Sequence, residues 1–197
     1  MKISTPTKPT RIGGFTLMEL LVVITIILVL AGMTYPVARG VQVKARKTAV
    51  QNEAISLKNS IASYYTEYRR YPAEYSGGTT DPRVETDNAL MDILLGADGN
   101  KLNPRRTVFF NGKAAKRDPD GGWRSGVRLA TGGKGELFDA WGEYYQVVMD
   151  TNNDGRVPIP TFDQEGGITE LPESIIVWSN GPDEEEDGQE KDNITTW

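Results

Sequence analysis

The sequence predicts an α+β fold in which one long N-terminal helix packs on a small antiparallel β-sheet head. Three observations carry that prediction. Leu20 to Ala38 is a run of 19 residues without a formal charge. Beyond Val37, apolar residues recur at spacings of three and four (Val50, Ala54, Leu57, Ile61, Tyr64, Tyr68), the period of one helical face. Residues 71–197 are rich in Gly, Pro, Asn and Asp, with short apolar runs between turn signals. At 197 residues and 38% hydrophobic content, the chain can bury one modest core.

Residues 1–14 read as a leader, with Lys2, Lys8 and Arg11 as its charges, no acid, and Gly13-Gly14 at its end. At about 1.5 Å per residue, the apolar run that follows is long enough to cross roughly 30 Å of hydrocarbon. A secretory signal peptide has an apolar core of about 7–15 residues with its cleavage site after that core. Here the small residues precede the run and the run is longer. A plain signal anchor with a cytoplasmic basic leader fits the length. It leaves Glu19 and the Gly14-Phe15 junction without a role. One acid inside such a segment costs about 2.5–3.5 kcal/mol at mid-bilayer depth, so Glu19 calls for a partner.

Residues 15–36 form the apolar part of the helix and 37–70 its amphipathic continuation into the head. Pro36 removes a backbone hydrogen bond and Gly32 weakens the same turn, so a bend or a loosened turn is expected there. Lys44, Arg46, Lys47, Lys58, Arg69 and Arg70 lie mostly off the apolar stripe. The tyrosines within that stripe read as core rather than as a ligand site. The helix should end near Tyr71-Pro72, and from Phe15 to Arg70 it would be about 84 Å long.

In the head, Thr107–Phe110, Tyr144–Met149, Arg156–Ile159 and Ser174–Trp178 read as strands. Asp87 to Leu95 can form one short helix, capped by Thr86 or Asp87 and ended by Gly96. Asp81-Pro82, Asn103-Pro104 and Asp118-Pro119-Asp120-Gly121-Gly122 are loops. Gly132-Gly133-Lys134-Gly135 is not a phosphate loop, because it lacks a Ser or Thr after the lysine and a Gly five residues before Gly133.

The chain has no cysteine and no histidine. That excludes thiol nucleophiles, a Ser-His-Asp triad, His/Cys zinc sites and any disulfide framework. No acid pair has a spacing that argues for a hydrolytic cleft, so no enzymatic activity is expected. Removing the leader's three cations leaves 19 Lys and Arg against 27 acids, a mature side-chain charge of −8. Electrostatics alone makes such a head a poor nucleic-acid binder.

Two acidic constellations remain. Asp150-Thr151-Asn152-Asn153-Asp154-Gly155 matches the opening of a calcium loop, with oxygen donors Asp150, Asn152 and Asp154 and a turn glycine at the sixth position. The twelfth position would be Thr161 rather than a bidentate Glu, and Asn153-Asp154-Gly155 between apolar runs is also a hairpin signal. Both readings stay open, the turn ahead of the metal. The second constellation is 179–197, where seven acids crowd against one lysine. It reads either as a solvated acidic tail or as a loop pinned by Trp178 at one end and by Ile194 and Trp197 at the other. A pinned loop with crowded carboxylates repels itself unless a cation is present, and its hard oxygen donors suit calcium.

Gly14-Phe15-Thr16-Leu17-Met18-Glu19-Leu20-Leu21-Val22-Val23-Ile24 resembles the class III signal of type IV prepilins and type II secretion pseudopilins. The family usually has Ile at the place of Met18, a volume-conserving exchange. The resemblance implies a pilin-like fold and a prepilin peptidase that cuts between Gly14 and Phe15 and N-methylates Phe15. Pilins usually carry a proline at the place of Pro36. Glu19 would be the fifth mature residue, positioned to neutralise the free α-amino group of a neighbour's Phe15, which is protonated near neutral pH. Both charges pay desolvation, so such a pair sets register more than stability.

Asp139-Ala140-Trp141-Gly142 is similar to the Asp-Pro-Trp-Gly stretch of major pseudopilins, and Ser179–Asp183 with Asp192–Trp197 is similar to their calcium-binding C-terminus. In that subfamily calcium takes the place of a C-terminal disulfide, which fits the lack of cysteine. Carried over, Asp183, Asp192 and Asn193 would be ligands and Asn180 a carbonyl donor. The resemblance therefore implies a structural subunit held in the inner membrane by a single pass, with a periplasmic head. Its partners would be further pseudopilins in a homopolymer, the peptidase and the inner-membrane assembly platform. Other readings are a type IV or minor pilin serving adhesion, motility or DNA uptake, and a membrane-anchored calcium-dependent binding domain that never polymerises. Glu19→Ala is expected to leave leader cleavage intact and to abolish or sharply reduce filament assembly, read by immunoblot of processed chain and by sheared-filament yield; normal filaments would contradict the assembly role.

Overall fold

A computed structural model of the chain describes residues 14–73, 80–97, 101–130, 134–186 and 192–197, with side chains undescribed at 33–40 and 165. The expected leader therefore lies, except for Gly14, outside the described residues. The chain divides into two compact units between Val43 and Lys44.

Helix α1 spans Leu17–Tyr68, 52 residues, and continues through Gly32 and Pro36. In the first unit its large apolar side chains from Leu17 to Leu30 are exposed, Leu17 to 88%. Among the described residues no helix is long and apolar enough to cross a membrane; side chains of the expected Leu20–Ala38 run are described only as far as Gly32. In the second unit Val50, Ala54, Leu57, Ile61 and Tyr64 are buried, a stripe that forms one wall of the main core. The helix ends two residues before the expected Arg70. Arg69 adopts a left-handed φ of 53° and its N–H reaches the Tyr65 carbonyl at 2.7 Å, a turn that closes the last carbonyls without a glycine.

The head is built on a four-stranded antiparallel sheet. Its strands are β1 (Arg83–Glu85), β6 (Gln146–Met149), β9 (Ile175–Ser179) and β10 (Ile194–Thr195), side by side in that order. Three two-stranded pairings surround it: β2 (Lys116–Arg117) with β3 (Trp123–Arg124), β4 (Gly126–Leu129) with β5 (Gly135–Phe138), and β7 (Val157–Pro158) with β8 (Glu170–Leu171). Side chains alternate across the central strands. Val147, Met149, Ile175 and Val177 enter the main core against α1, while Val148, Ile176 and Trp178 pack with Val157 and Ile159 in a second cluster. Both faces of β9 are covered, so its five residues are all buried and read as a continuous apolar run.

Helix α2 (Asn88–Leu94) is capped by Asp87, whose Oδ1 accepts the N–H groups of Ala89 and Leu90 at 2.9 and 3.4 Å. Gly96 follows at φ 66°. The expected strand Thr107–Phe110 is not one. The Phe109 and Phe110 N–H groups instead donate to the Leu94 carbonyl at 2.8 and 3.1 Å, so this apolar run closes the end of α2 and buries Phe110. The other three expected strands form, each shortened or shifted: β6 begins at Gln146, β7 keeps two residues, and β9 extends to Ser179. Gly135, the last residue of the rejected phosphate-loop motif, begins β5 and pairs with Leu129 of β4.

One carboxylate of α1, Glu53, reaches a core side chain. Glu53 accepts a hydrogen bond from the Tyr145 hydroxyl at 2.9 Å. Burial pushes its carboxyl above the ordinary range, against that hydrogen bond and the charge of Lys113, while Asp139 adds to the rise. A raised folded-state value means that the folded chain holds the proton more tightly than the unfolded chain. The stability this contributes is complete below the unfolded value and is lost as pH rises through the folded one. Glu53→Gln keeps an acceptor for Tyr145 and removes the buried charge. It is expected to raise the melting temperature of the full chain in detergent by about 1–3 °C at pH 7 and by little near pH 4; a loss at pH 7, or an equal gain at both, would contradict the assignment.

Candidate cation loop and N-terminal motif

The register of β9 against β10 pairs Ser179 with Ile194 and Trp178 with Thr195, which brings the start and end of the acidic stretch together. Asn180 and Asp192 flank that pairing. The side-chain Oδ1 of each is buried and has no hydrogen-bond partner among the described residues. A buried acceptor left unpaired costs about 1–3 kcal/mol, and more when charged, so two of them at one end of the β9–β10 pairing call for a donor or a cation. Gly181 stands at φ 86°, and a Cβ there would lie 2.5 Å from the Asp192 carbonyl oxygen and 3.1 Å from its Oδ2. Backbone therefore approaches Asp192 at the one place where only glycine fits.

The expected ligands are not equally placed. Asn180 and Asp192 sit at the base of the loop, next to Asn193. Asn180 was expected as a carbonyl donor, and the atom without a partner is its side-chain amide oxygen. Asp183 lies on the exposed turn, its Oδ1 accepting the Glu185 N–H at 3.0 Å. Glu184 adopts φ 63°. Glu186 forms an ion pair with Arg83 of β1, a residue that also stacks 4.8 Å over the Trp178 ring and donates to Gln146 Oε1 at 2.7 Å. Arg83 thus ties the acidic turn to the sheet, and no sequence motif marked it. Residues 187–191 lie outside the described residues. The local field is negative: burial raises the Glu143 carboxyl, and Glu184, Asp139 and Glu85 push it further up. The donor set is oxygen only, which fits a hard divalent cation such as calcium.

The Asp150–Gly155 constellation, by contrast, has its oxygens occupied by its own backbone. Asp150 Oδ1 and Oδ2 accept the N–H groups of Asp154 and Gly155 at 3.1 and 3.0 Å. Asn152 Oδ1 accepts the Asp154 N–H at 2.8 Å, and Asp154 Oδ1 the Arg156 N–H at 2.9 Å. Asn153 and Gly155 are both left-handed, at φ 59° and 80°. These are the contacts of a turn. Asp81 joins from the loop before β1, its Oδ1 accepting the Thr151 and Asn152 N–H groups at 2.7 and 3.1 Å. Carboxylate oxygens of Asp81, Asp150 and Asp154 lie within 4.8 Å of one another. Thr161, the twelfth position of the expected loop, sits instead in the 3-10 turn Thr161–Asp163.

At the other end of the chain, Gly14 and Phe15 lie outside regular secondary structure and are exposed ahead of α1. Glu19 has a local role that its isolation in an apolar run concealed. Its Oε2 accepts the Thr16 N–H at 3.1 Å and the Thr16 hydroxyl at 2.9 Å, while the Glu19 N–H donates to Thr16 Oγ1 at 3.2 Å. This is a reciprocal capping box, and the Thr-x-x-Glu spacing of 16 and 19 was its signal.

Residues 10–35 match the family described as the prokaryotic N-terminal methylation motif. The chain is similar to the type II secretion system core protein G of Dickeya chrysanthemi, 36% identical over 138 residues, covering 59% of this chain and 89% of that one. The protein of the same name from Pectobacterium carotovorum subsp. carotovorum is 36% identical over 107 residues, 48% of this chain and 69% of that one. The one from Klebsiella pneumoniae is 26% identical over 144 residues, 73% of this chain and 92% of that one. No solved structure gives a significant match.

Proposed function

The chain belongs to the family of type II secretion system core protein G, the major pseudopilin, and we propose that its C-terminal loop is a calcium site that sets the form of the head it brings to the filament. As a pseudopilin it is a structural subunit. In this reading prepilin peptidase cuts between Gly14 and Phe15 and methylates Phe15. The chain waits in the inner membrane as a single-pass protein with its head in the periplasm. It is then drawn through the assembly platform into a homopolymer that drives protein secretion, with the structure doing the work and no reaction catalysed. Glu19 meets the α-amino group of a neighbour's Phe15 during that step, and its bonds to Thr16 keep the carboxylate satisfied until then.

The single observation that carries the calcium reading is the pair of buried, unpartnered oxygens on Asn180 and Asp192 at the β9–β10 junction. With Asp183 and Asn193 they make an all-oxygen donor set. The cation would supply the positive charge that the crowded acids lack. The chain's own residues do the rest: β9 and β10 fix the two ends, Gly181 admits the close backbone approach, and Arg83 holds Glu186 away on the sheet. The Asp81–Asp150–Asp154 group is the weaker candidate, since the Asp150 oxygens accept backbone N–H bonds.

Calcium at about a hundred times its dissociation constant stabilises a folded chain by ~2.7 kcal/mol. For the full chain in detergent this corresponds to a melting temperature about 5–10 °C higher in calcium than in EGTA. Asp183→Ala and Asp192→Ala are each expected to remove that difference. Equal melting temperatures for wild type with and without calcium would overturn the site.

A further inference from the structure

We infer that Asp139 is a positioning residue for the cation loop, acting through the hydroxyl of Ser179; this rests on the calcium reading above. Asp139 is fully buried, 40 positions before Ser179 in the chain. Its Oδ1 accepts three backbone N–H bonds, from Trp141, Gly142 and Glu143, at 2.8, 2.9 and 3.0 Å. Those bonds fix the carboxylate plane within its own turn, where Gly142 stands at φ 112°. The second oxygen is thereby aimed out of the turn, and it receives the Ser179 hydroxyl at 2.6 Å, the short distance of a charge-assisted O–H···O bond.

The direction of that bond matters for the loop. Ser179 is the last residue of β9 and is also fully buried. A carboxylate only accepts, so the hydroxyl proton is committed to Asp139 and the lone pairs of Oγ are left for the loop. One of them takes the Gly181 N–H at 3.2 Å. Asn180 is therefore clamped on both sides, by the β9–β10 register before it and by the Ser179–Gly181 bond after it. The same clamp holds Gly181 in its left-handed conformation against Asp192. From Asp139 a continuous chain of hydrogen bonds and one steric contact reaches the two residues whose oxygens lack partners.

This explains an otherwise unfavourable burial. Desolvation raises the Asp139 carboxyl, against the hydrogen bonds from Ser179, Trp141, Glu143 and Gly142. A turn could be closed by a neutral Asn with the same Oδ1 contacts. An Asn Nδ2, however, would donate to Ser179 Oγ, displace its proton and compete with the Gly181 N–H.

The test measures calcium binding by titration calorimetry on the full chain in detergent, beside the melting temperature of each variant in EGTA. Asp139→Asn keeps the turn's acceptor and reverses the Ser179 bond; Ser179→Ala removes the hydroxyl without changing charge. Each is expected to weaken calcium binding about tenfold, with the EGTA melting temperature lowered by only a few degrees. The double variant should be no weaker than the worse single one, because both cut one chain. Glu143→Gln, which removes a neighbouring carboxylate but no link, should stay within about twofold of wild type. Weakening by Asp139→Asn but not by Ser179→Ala would make Asp139 a mere source of negative charge and overturn the inference. So would wild-type affinity in both variants, or additive losses in the double. Absence of calcium binding by the wild type would instead overturn the calcium reading itself.

Discussion

The antiparallel pairing of β9 with β10 is the constraint on which the head depends. β9 occupies an interior position in the sheet, pairs with β6 on its other side and buries all five of its residues. β10 contributes only Ile194 and Thr195, yet this short strand returns the acidic stretch to the sheet. A two-residue strand has little pairing energy of its own. Ile194 in the main core and Trp197 against the Trp178 ring supply apolar burial that holds it. Seven acids then lie in a stretch whose two ends are fixed, and like charges confined in this way repel.

Two kinds of response to that repulsion are visible. One is local pairing: Glu186 with Arg83, and Asp183 with the Glu185 N–H. The other is left unmet at Asn180 and Asp192, whose buried Oδ1 atoms have no donor among the described residues. Lys191 is the only basic residue in the stretch. A divalent cation, as proposed, would answer both the geometry and the charge without cysteine or histidine. The Asp150 turn is the instructive contrast. It holds only two acids, Asp150 and Asp154, and backbone N–H groups already occupy their oxygens, so its carboxylates serve a turn.

Much of the fold could be read from the chain. The stripe from Val50 to Tyr64 repeats at the helical period and forms the core wall, and the Asp87 cap and Gly96 bound α2 as their chemistry requires. The failures share a cause: each depends on a partner distant in sequence. Thr107–Phe110 has strand composition, but the Leu94 carbonyl outcompeted any strand edge for its N–H groups. β4 and β5 contain few branched residues and were hidden by the glycines between them. Of the C-terminal loop's surroundings, the acids were legible by composition, whereas Arg83 and the Asp139–Ser179 bond became visible only once the sheet had placed them, as did Asp81 beside the Asp150 turn. The Thr16–Glu19 box was legible and was overshadowed by the more conspicuous isolation of the acid.

A cation site at the β9–β10 junction is tested most directly by terbium luminescence on the wild-type chain, because terbium takes calcium's oxygen sites and is excited by nearby tryptophan, here Trp178 and Trp197 beside the loop. Tryptophan-sensitised emission that saturates near one terbium per chain and is abolished by excess calcium is the predicted result. Absence of sensitised emission, or emission that calcium fails to displace, would contradict a cation site at the β9–β10 junction.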